Sequence, residues 1–530
     1  MQGKLQLASI ISLAVLLRCC VMYHPHSGEN NPPMYGDYEA QRHWQEITVN
    51  LPVDKWYVNT TDNDLQYWGL DYPPLTAYHS FLLGLVANRI DPSFVKLRES
   101  KGFESVTHKH FMRLSVLVAD ILIYLPAVIY FIVNSRSWNN CQLDESNIFK
   151  FTRKDFIVFT ALIYPGLILI DHGHFQYNCV SLGFFVAAVA LIMHNSFVIS
   201  SVLFVLALNY KQMELYHALP FFFYILGYHT PSKTRSWLYC IRMLACVSFA
   251  VLLTFYVIWM PFLKSSDLLF SAVLRLFPFS RGVFEDKVAN IWCAFNVVYK
   301  LRQVFTNAQL AKICLAVTTC MVLPSCISLY LSPTKKAFIL SLINSALAFF
   351  LFSFQVHEKS ILLVAIPILL YFHNDPLPCF WLLIISHFSM LPLFINDKLY
   401  LAYFGTIVFY FFAVSWIWAD LFYETNSVLN KDNSKSKARL KQRKKSNVFL
   451  DLLNYNKRSW LLVAFYGSIL GALVLSVFSK FVKPPERYPD LFSLLVSIYS
   501  CGHFLIFFIY FNYIQLFVLR KEIVSKVKSH

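Results

Sequence analysis

Apolar runs close to the length that crosses a bilayer recur along most of this 530-residue chain. No other feature restricts its fold so strongly. Hydrocarbon offers no water to unpaired peptide groups, so a segment of about 20 apolar residues crosses as a helix that satisfies its own backbone. Such runs place spans near 5–22, 111–134, 154–170, 178–194, 196–209, 214–228, 238–262, 311–331, 336–354, 359–373, 377–396, 399–423, 459–480 and 490–518. The expected fold class is an all-α polytopic membrane protein with about fourteen transmembrane helices. Pro126, Pro165 and Pro220 fall inside or at the ends of spans, where neighbouring helices re-satisfy the freed backbone groups. Composition agrees: only 14% of residues are charged, against about 25% in soluble domains.

The net charge of +16 would suggest nucleic acid in a soluble protein. Here the positive charge gathers where insertion topology puts it, in loops on one side. With a cytosolic N-terminus, the loops after even-numbered spans hold Arg136, Arg153, Lys154, Lys233, Arg235, Lys335 and Lys336, the basic stretch 430–458, and the tail ending RKEIVSKVKSH. No nucleic-acid partner is expected. The opening LQLASIISLAVLLRCCVMY lacks a clean small-x-small cleavage site and reads as a retained first span.

The chain then divides into a first helix (1–22), a large lumenal loop (23–110), a transmembrane core (111–423), a basic cytosolic loop (424–458), two C-terminal spans (459–518) and a cytosolic tail (519–530). The basic loop reads as a flexible connector, with attraction to anionic lipid as a secondary role. Twelve cysteines show no CxxC pair and lie mostly in apolar runs, as packing residues do.

The opposite side receives every segment with chemical character. GDYEAQRHW (36–44) follows the first span. Residues 38–49 fit a short amphipathic helix along the membrane surface, with Trp44, Ile47 and Val49 on its apolar side and Asp37 at the N-cap. In LDYPP, Pro73 and Pro74 keep Tyr72 extended and hold Asp71 on a stiff arm. DHGHFQYN (171–178), NYKQMELYH (209–217), FPFSRGVFEDKVANIWC (277–293) and FQVHEKS (354–360) add further ionisable and aromatic groups. Any one could be a solvated loop. Five together on one side suit a one-sided active site better than a transport path.

Glycosyl transfer from a lipid phosphate would use such residues. One carboxylate takes the proton of the attacking sugar hydroxyl. The phosphate leaving group needs only cations or hydrogen-bond donors, and Arg281, Lys287 and His357 are of the right type. Trp44, Tyr72 and Trp292 could stack on sugar rings. Neither HExxH nor DxD occurs, and the two histidines of DHGH read as packing or substrate contacts, so neither metal nor cofactor is expected. Asn59-Thr60-Thr61 is a glycosylation sequon in the first large loop. Lys526 and Lys528 near the end are similar to a lysine-based retrieval signal of endoplasmic-reticulum membrane proteins, although an ordinary basic tail would look the same.

GDYEAQRHW, QYWGLDYPPLTAYHS, KGFES, LIDHGHFQYN, NYKQMELYHALP, RGVFEDKVANIWC and FSFQVHEKSILL together resemble the dolichyl-phosphate-glucose-dependent glucosyltransferases of the endoplasmic reticulum, over about residues 33–370. Within that family the likeness is greatest to the members that add the first glucose, in α-1,3 linkage, to the dolichol-pyrophosphate-linked nine-mannose oligosaccharide. The resemblance implies a GT-C fold with a lumenal catalytic face, a dolichyl-phosphate-glucose donor, a lipid-linked oligosaccharide acceptor, and metal-independent inversion from a β-linked donor. It makes Asp37 the catalytic base and puts the donor phosphate near Arg281, His357 and Lys287. Asp71, Trp44, Tyr72, His174, Lys211 and Glu358 become candidates for substrate binding, while Glu39, Arg42 and His43 fit a scaffold.

Two other readings compete. The second α-1,3-glucosyltransferase of the same pathway would take a monoglucosylated acceptor. A lipid-linked sugar transporter or flippase would place ionisable groups near the bilayer midplane, where Asp120 is the one clear acid.

Overall fold

The structure, a computed structural model, describes residues 2–134, 151–231, 235–277, 288–419 and 448–521. Helix dominates, and no β-strand occurs among the described residues. Nine helices there are long and apolar enough to cross a bilayer: Gly3–Met22, Val106–Asn134, Arg153–Phe175, Trp237–Lys264, Asn307–Leu331, Lys335–Phe352, Tyr400–Ile417, Trp460–Phe481 and Leu491–Lys521. This is an all-α polytopic membrane architecture.

The other expected spans are shorter pieces. Asn178–Met193, Phe197–Tyr210 and Pro376–Ser389 are apolar helices of 16, 14 and 14 residues. At 1.5 Å per residue the longest reaches about 24 Å, less than the hydrocarbon thickness. The expected span 359–373 is a 3-10 turn, Glu358–Ile361, followed by Leu362–Tyr371.

Position in the bundle separates inner from outer helices. Asn178–Met193 and Lys335–Phe352 are buried along nearly their whole length, and Phe185, Val186, Leu340 and Ile343 are fully enclosed. Trp237–Lys264 instead turns Leu238, Phe249, Leu252 and Tyr256 outward. In water such a surface would drive association; in a bilayer it faces lipid.

The segment after the first span packs as a lid on this bundle. Gly36–Asn50 lies against Pro74–Ile90, and Trp44, Ile47, Trp56, Tyr57, Leu70 and Phe262 form a separate apolar cluster. This departs from the expected membrane-surface helix: every residue from Tyr38 to Thr48 is buried, the polar ones included. The helix is enclosed because its charged face meets the 91–105 segment instead of water, with Arg42 donating to Ser100 Oγ at 2.6 Å and Arg98 N donating to Glu46 Oε1 at 2.7 Å. The expected flexible connector lies outside the described residues through 447, and from Val448 the chain is already helical.

The intramembrane acid is closed. Asp120 accepts from Arg18 Nε at 2.5 Å and pairs with His172 Nε2 at 2.9 Å, all three being buried. Such a charge-compensated cluster fixes helices against one another, with both partners on Oδ2.

Candidate active site

The backbone brings Asp37 into place first. Gly36 takes φ +68°, and a Cβ there would meet Ser27 Oγ at 2.5 Å, so the turn into the helix requires glycine. Ser27 then ties two segments together: its N–H donates to the His174 carbonyl at 2.9 Å, and its Oγ accepts from Asp37 N at 3.2 Å. The cap is Tyr35, not Asp37 as the sequence suggested; the helix starts two residues earlier and Asp37 sits in its first turn. Its carboxylate is thereby left for other partners.

Those partners all gather on one oxygen. Asp37 Oδ2 pairs with His174 Nε2 at 2.9 Å, the Gln176 amide and Lys359 Nζ. No hydrogen bond reaches Oδ1 among the described residues. Behind Asp37, His174 Nδ1 pairs with Asp397 Oδ2 at 2.5 Å. An imidazole can donate to both carboxylates only with a proton on each nitrogen. Burial pushes the Asp37 carboxyl up, but the charges of Lys359 and His174 outweigh it and hold the group well below the ordinary carboxylate range.

A cavity of about 420 Å³ opens beside Asp37. Of the residues expected at a site, Asp37, Trp44, Asp71, Tyr72, Lys211 and His357 all line it. Trp44 is fixed by its indole N–H, which donates to the Trp68 carbonyl at 2.8 Å, and its ring meets Tyr72 edge-on at 5.2 Å. Lys211 donates to Gln176 Oε1 at 2.5 Å and Asn178 Oδ1 at 2.7 Å and stands 4.9 Å from the centre of the Tyr72 ring. Burial lowers its pKa to about 8, with Asp171 and Asp37 partly opposing.

His174 is one layer behind the cavity and acts on Asp37. The expected loop 171–177 is a fully buried π-helical turn, Leu169–Phe175, whose Asp171 accepts from Asn178 N at 3.1 Å and Cys179 N at 2.7 Å, capping the next helix. Glu358 does not line the cavity. Its Oε2 is buried without a hydrogen bond among the described residues, while the next residue, Lys359, reaches Asp37. The Trp292 indole is engaged by the Phe352 carbonyl at 2.9 Å and also stands outside the lining. Arg281 and Lys287 lie outside the described residues. Asn59 is exposed, its Oδ1 accepting from Leu65 N at 3.2 Å.

Four residues complete the site without having been singled out by sequence: Lys359, Gln176, Asp397 and Arg275. Lys359 and Gln176 sit inside motifs already quoted. Arg275 donates to the Leu65 and Gly69 carbonyls at 3.0 and 2.8 Å, holding the cavity wall. Glu39, Arg42, His43 and Glu46 form a closed network: Arg42 donates to Glu39 at 2.6 and 2.7 Å and to Glu46 at 2.8 Å, and His43 pairs with Glu46 at 3.1 Å. Burial raises the Glu46 carboxyl, but His43 and Arg42 overcome it and bring the pKa to about 2.

The cavity thus holds two carboxylates, Asp37 with an open oxygen and Asp71, together with several cations and the aromatic rings of Trp44, Trp68 and Tyr72. That set suits transfer of a sugar from an anionic leaving group. Comparison with known proteins agrees. The ALG6, ALG8 glycosyltransferase family matches residues 14–510. The chain is 46% identical over 510 residues to the dolichyl pyrophosphate Man9GlcNAc2 alpha-1,3-glucosyltransferase of Gallus gallus, covering 96% of each. It is 43% identical over 509 residues to the protein of the same name from Pongo abelii, covering 95% of each, and 43% identical over 505 residues to that from Rattus norvegicus, again 95% of each. Matched over nearly its whole length, the chain belongs to the ALG6, ALG8 glycosyltransferase family.

Proposed function

We propose that this glycosyltransferase moves glucose from dolichyl-phosphate-glucose to dolichyl-pyrophosphate-linked Man9GlcNAc2, forming an α-1,3 linkage with inversion. The observation that carries the reading is the Asp37 carboxylate: Oδ2 is held by three partners while Oδ1 is left open in a cavity lined by cations. The relatives' printed names supply the acceptor and the linkage. The donor comes from the resemblance of the motifs. The reading includes a GT-C fold of about fourteen spans in the endoplasmic-reticulum membrane, a lumenal cavity, and cytosolic termini.

In this mechanism Asp37 Oδ1 takes the proton of the acceptor hydroxyl as its oxygen attacks the anomeric carbon. The bond from that carbon to the phosphate oxygen breaks, and its electron pair stays on dolichyl phosphate. Developing negative charge falls to Lys359, His357 and Lys211, with Arg281 and Lys287 in the 277–293 segment as further cations. Trp44 and Tyr72 offer faces for sugar rings, and Asp71 hydroxyl acceptance. No metal takes part. A carboxylate paired with lysine is a weak base. An arriving phosphate gives Lys359 a second anion to serve, and as the lysine turns to it the basicity of Asp37 rises.

The test is transfer by the purified protein from radiolabelled dolichyl-phosphate-glucose, with chelator present, to two lipid-linked acceptors. Glucosylation of Man9GlcNAc2 and not of its monoglucosylated form supports the reading. Preference for the monoglucosylated acceptor moves the protein to the second glucosyltransferase step, and loss of transfer on chelation removes the metal-free mechanism.

A further inference from the structure

The helices that wall the Asp37 cavity end at a second polar cavity, of about 240 Å³. Asn178–Met193 starts at the first cavity with Asn178 and ends at the second with Met193. Leu362–Tyr371 starts at the first with Leu362, and His373 and Asn374 of the following turn line the second. Lys335–Phe352 begins at the second and ends just short of the turn that carries His357 and Lys359. A 16-residue helix separates the two by about 24 Å. The cavities therefore occupy opposite ends of one bundle.

The second cavity presents Lys335, Lys336, His194, His373, Asn195, Asn134 and Asn374, and no carboxylate lines it among the described residues. Lys335 Nζ donates to the Met193 carbonyl at 2.5 Å, closing the end of that helix; an ammonium keeps two further hydrogens. Lys335 and Lys336 also open an 18-residue helix capped by Thr334, whose Oγ1 accepts from Ala337 N at 3.2 Å, so the positive end of its dipole points the same way. The nearby acid Asp375 accepts from the Tyr510 hydroxyl and also feels the charge of Lys336. Charge bias of membrane loops accounts for lysines at this level. It does not account for two lysines, two imidazoles and three amides gathered around one concavity.

We propose that this cavity binds a phosphate group. At the ends of spanning helices it stands at headgroup level, so an anionic phospholipid can deliver the phosphate; a free inorganic anion offers the same chemistry. Lysine ammoniums supply charge, and imidazole and amide N–H groups supply direction. The site takes no part in glucosyl transfer, and its test is independent of that reading.

Native mass spectrometry of the full-length protein in nonionic detergent would compare dioctanoyl phosphatidic acid, inorganic phosphate and dioctanoylglycerol. Phosphatidic acid should bind, and K336Q should weaken it about fivefold, the effect of one basic group at a membrane surface, while K336R retains binding. Binding of inorganic phosphate as well would show that free anions fill the site. Binding of phosphatidic acid alone would make lipid the source. If K336Q lowers the melting temperature, H194Q at an exposed side chain should show the same loss. Equal binding of dioctanoylglycerol, or unchanged phosphatidic acid binding in both K336Q and H194Q, would overturn the proposal.

Discussion

Asp37 and Glu39 stand two residues apart on one helix and have opposite surroundings. Both Glu39 oxygens accept from Arg42, and Tyr67 adds a third bond at 2.8 Å to Oε1. Asp37 carries its bonds on one oxygen and opens the other to a cavity. A carboxylate with both oxygens bonded holds structure; one with an open oxygen can accept a proton. Nine residues rich in charge therefore serve two purposes, and the partners of each residue decide which.

The largest expected effect tests that division. Asp37→Asn should lower turnover about a thousandfold, within the range for loss of a general base, with the melting temperature nearly unchanged. Glu39→Gln should show the reverse pattern, and equal losses of turnover in both variants would erase the contrast.

Next in size is Arg42→Met. It strands two buried carboxylates and should destabilise the fold by about 3–5 kcal/mol, read from thermal unfolding in detergent. The same network sets an acid limit. Glu46 has a folded pKa of about 2, below its ordinary 4.5. Its contribution is therefore full above about pH 4.5 and is lost as pH falls towards 2. Arg42→Met should flatten that acid loss.

Lys359→Met should lower turnover about a hundredfold, comparable to removing one donor to a developing oxyanion, and raise the donor KM. It also lifts the Asp37 pKa, because burial then meets less opposing charge. The acid limb of the pH–rate profile should move to higher pH, and Lys359→Arg should restore it. An acid limb that stays in place in Lys359→Met would separate this lysine from the base.

The smallest effect concerns Lys211. With a pKa of about 8, its charge is present at neutral pH and disappears above that value. Transfer should fall with a midpoint near pH 8, and Lys211→Arg should remove that alkaline limb with little change in rate at pH 7. An unchanged limb in Lys211→Arg would assign it to another group.

How far sequence reached depends on how local each feature is. Long apolar runs pointed to helices because hydrocarbon forces helix, and nine of those among the described residues are long enough to cross a bilayer. Short inner helices such as Asn178–Met193 were read with nearly correct ends, although their burial by protein does not show in hydropathy. Asp37, Asp71, Tyr72, Lys211 and His357 come from four separate motifs and share one cavity, legible because all were assigned to one side. Lys359 was passed over for Glu358 because a 3-10 turn decides which of two adjacent side chains points inward. Asp397 is 223 positions from His174, and no local pattern links them. The buried Gly36–Asn50 helix reads as a surface helix because a charged face satisfied by protein looks, in sequence, like one satisfied by water.

The most direct test of the central claim is single-turnover glucose transfer to the Man9GlcNAc2 lipid acceptor by wild type and Asp37→Asn, each saturated with dolichyl-phosphate-glucose and matched in melting temperature. The account predicts an α-1,3-glucosylated product from wild type and a rate about a thousandfold lower in the variant. A variant that transfers at the wild-type rate would contradict it, leaving the open Asp37 oxygen without a role in proton transfer.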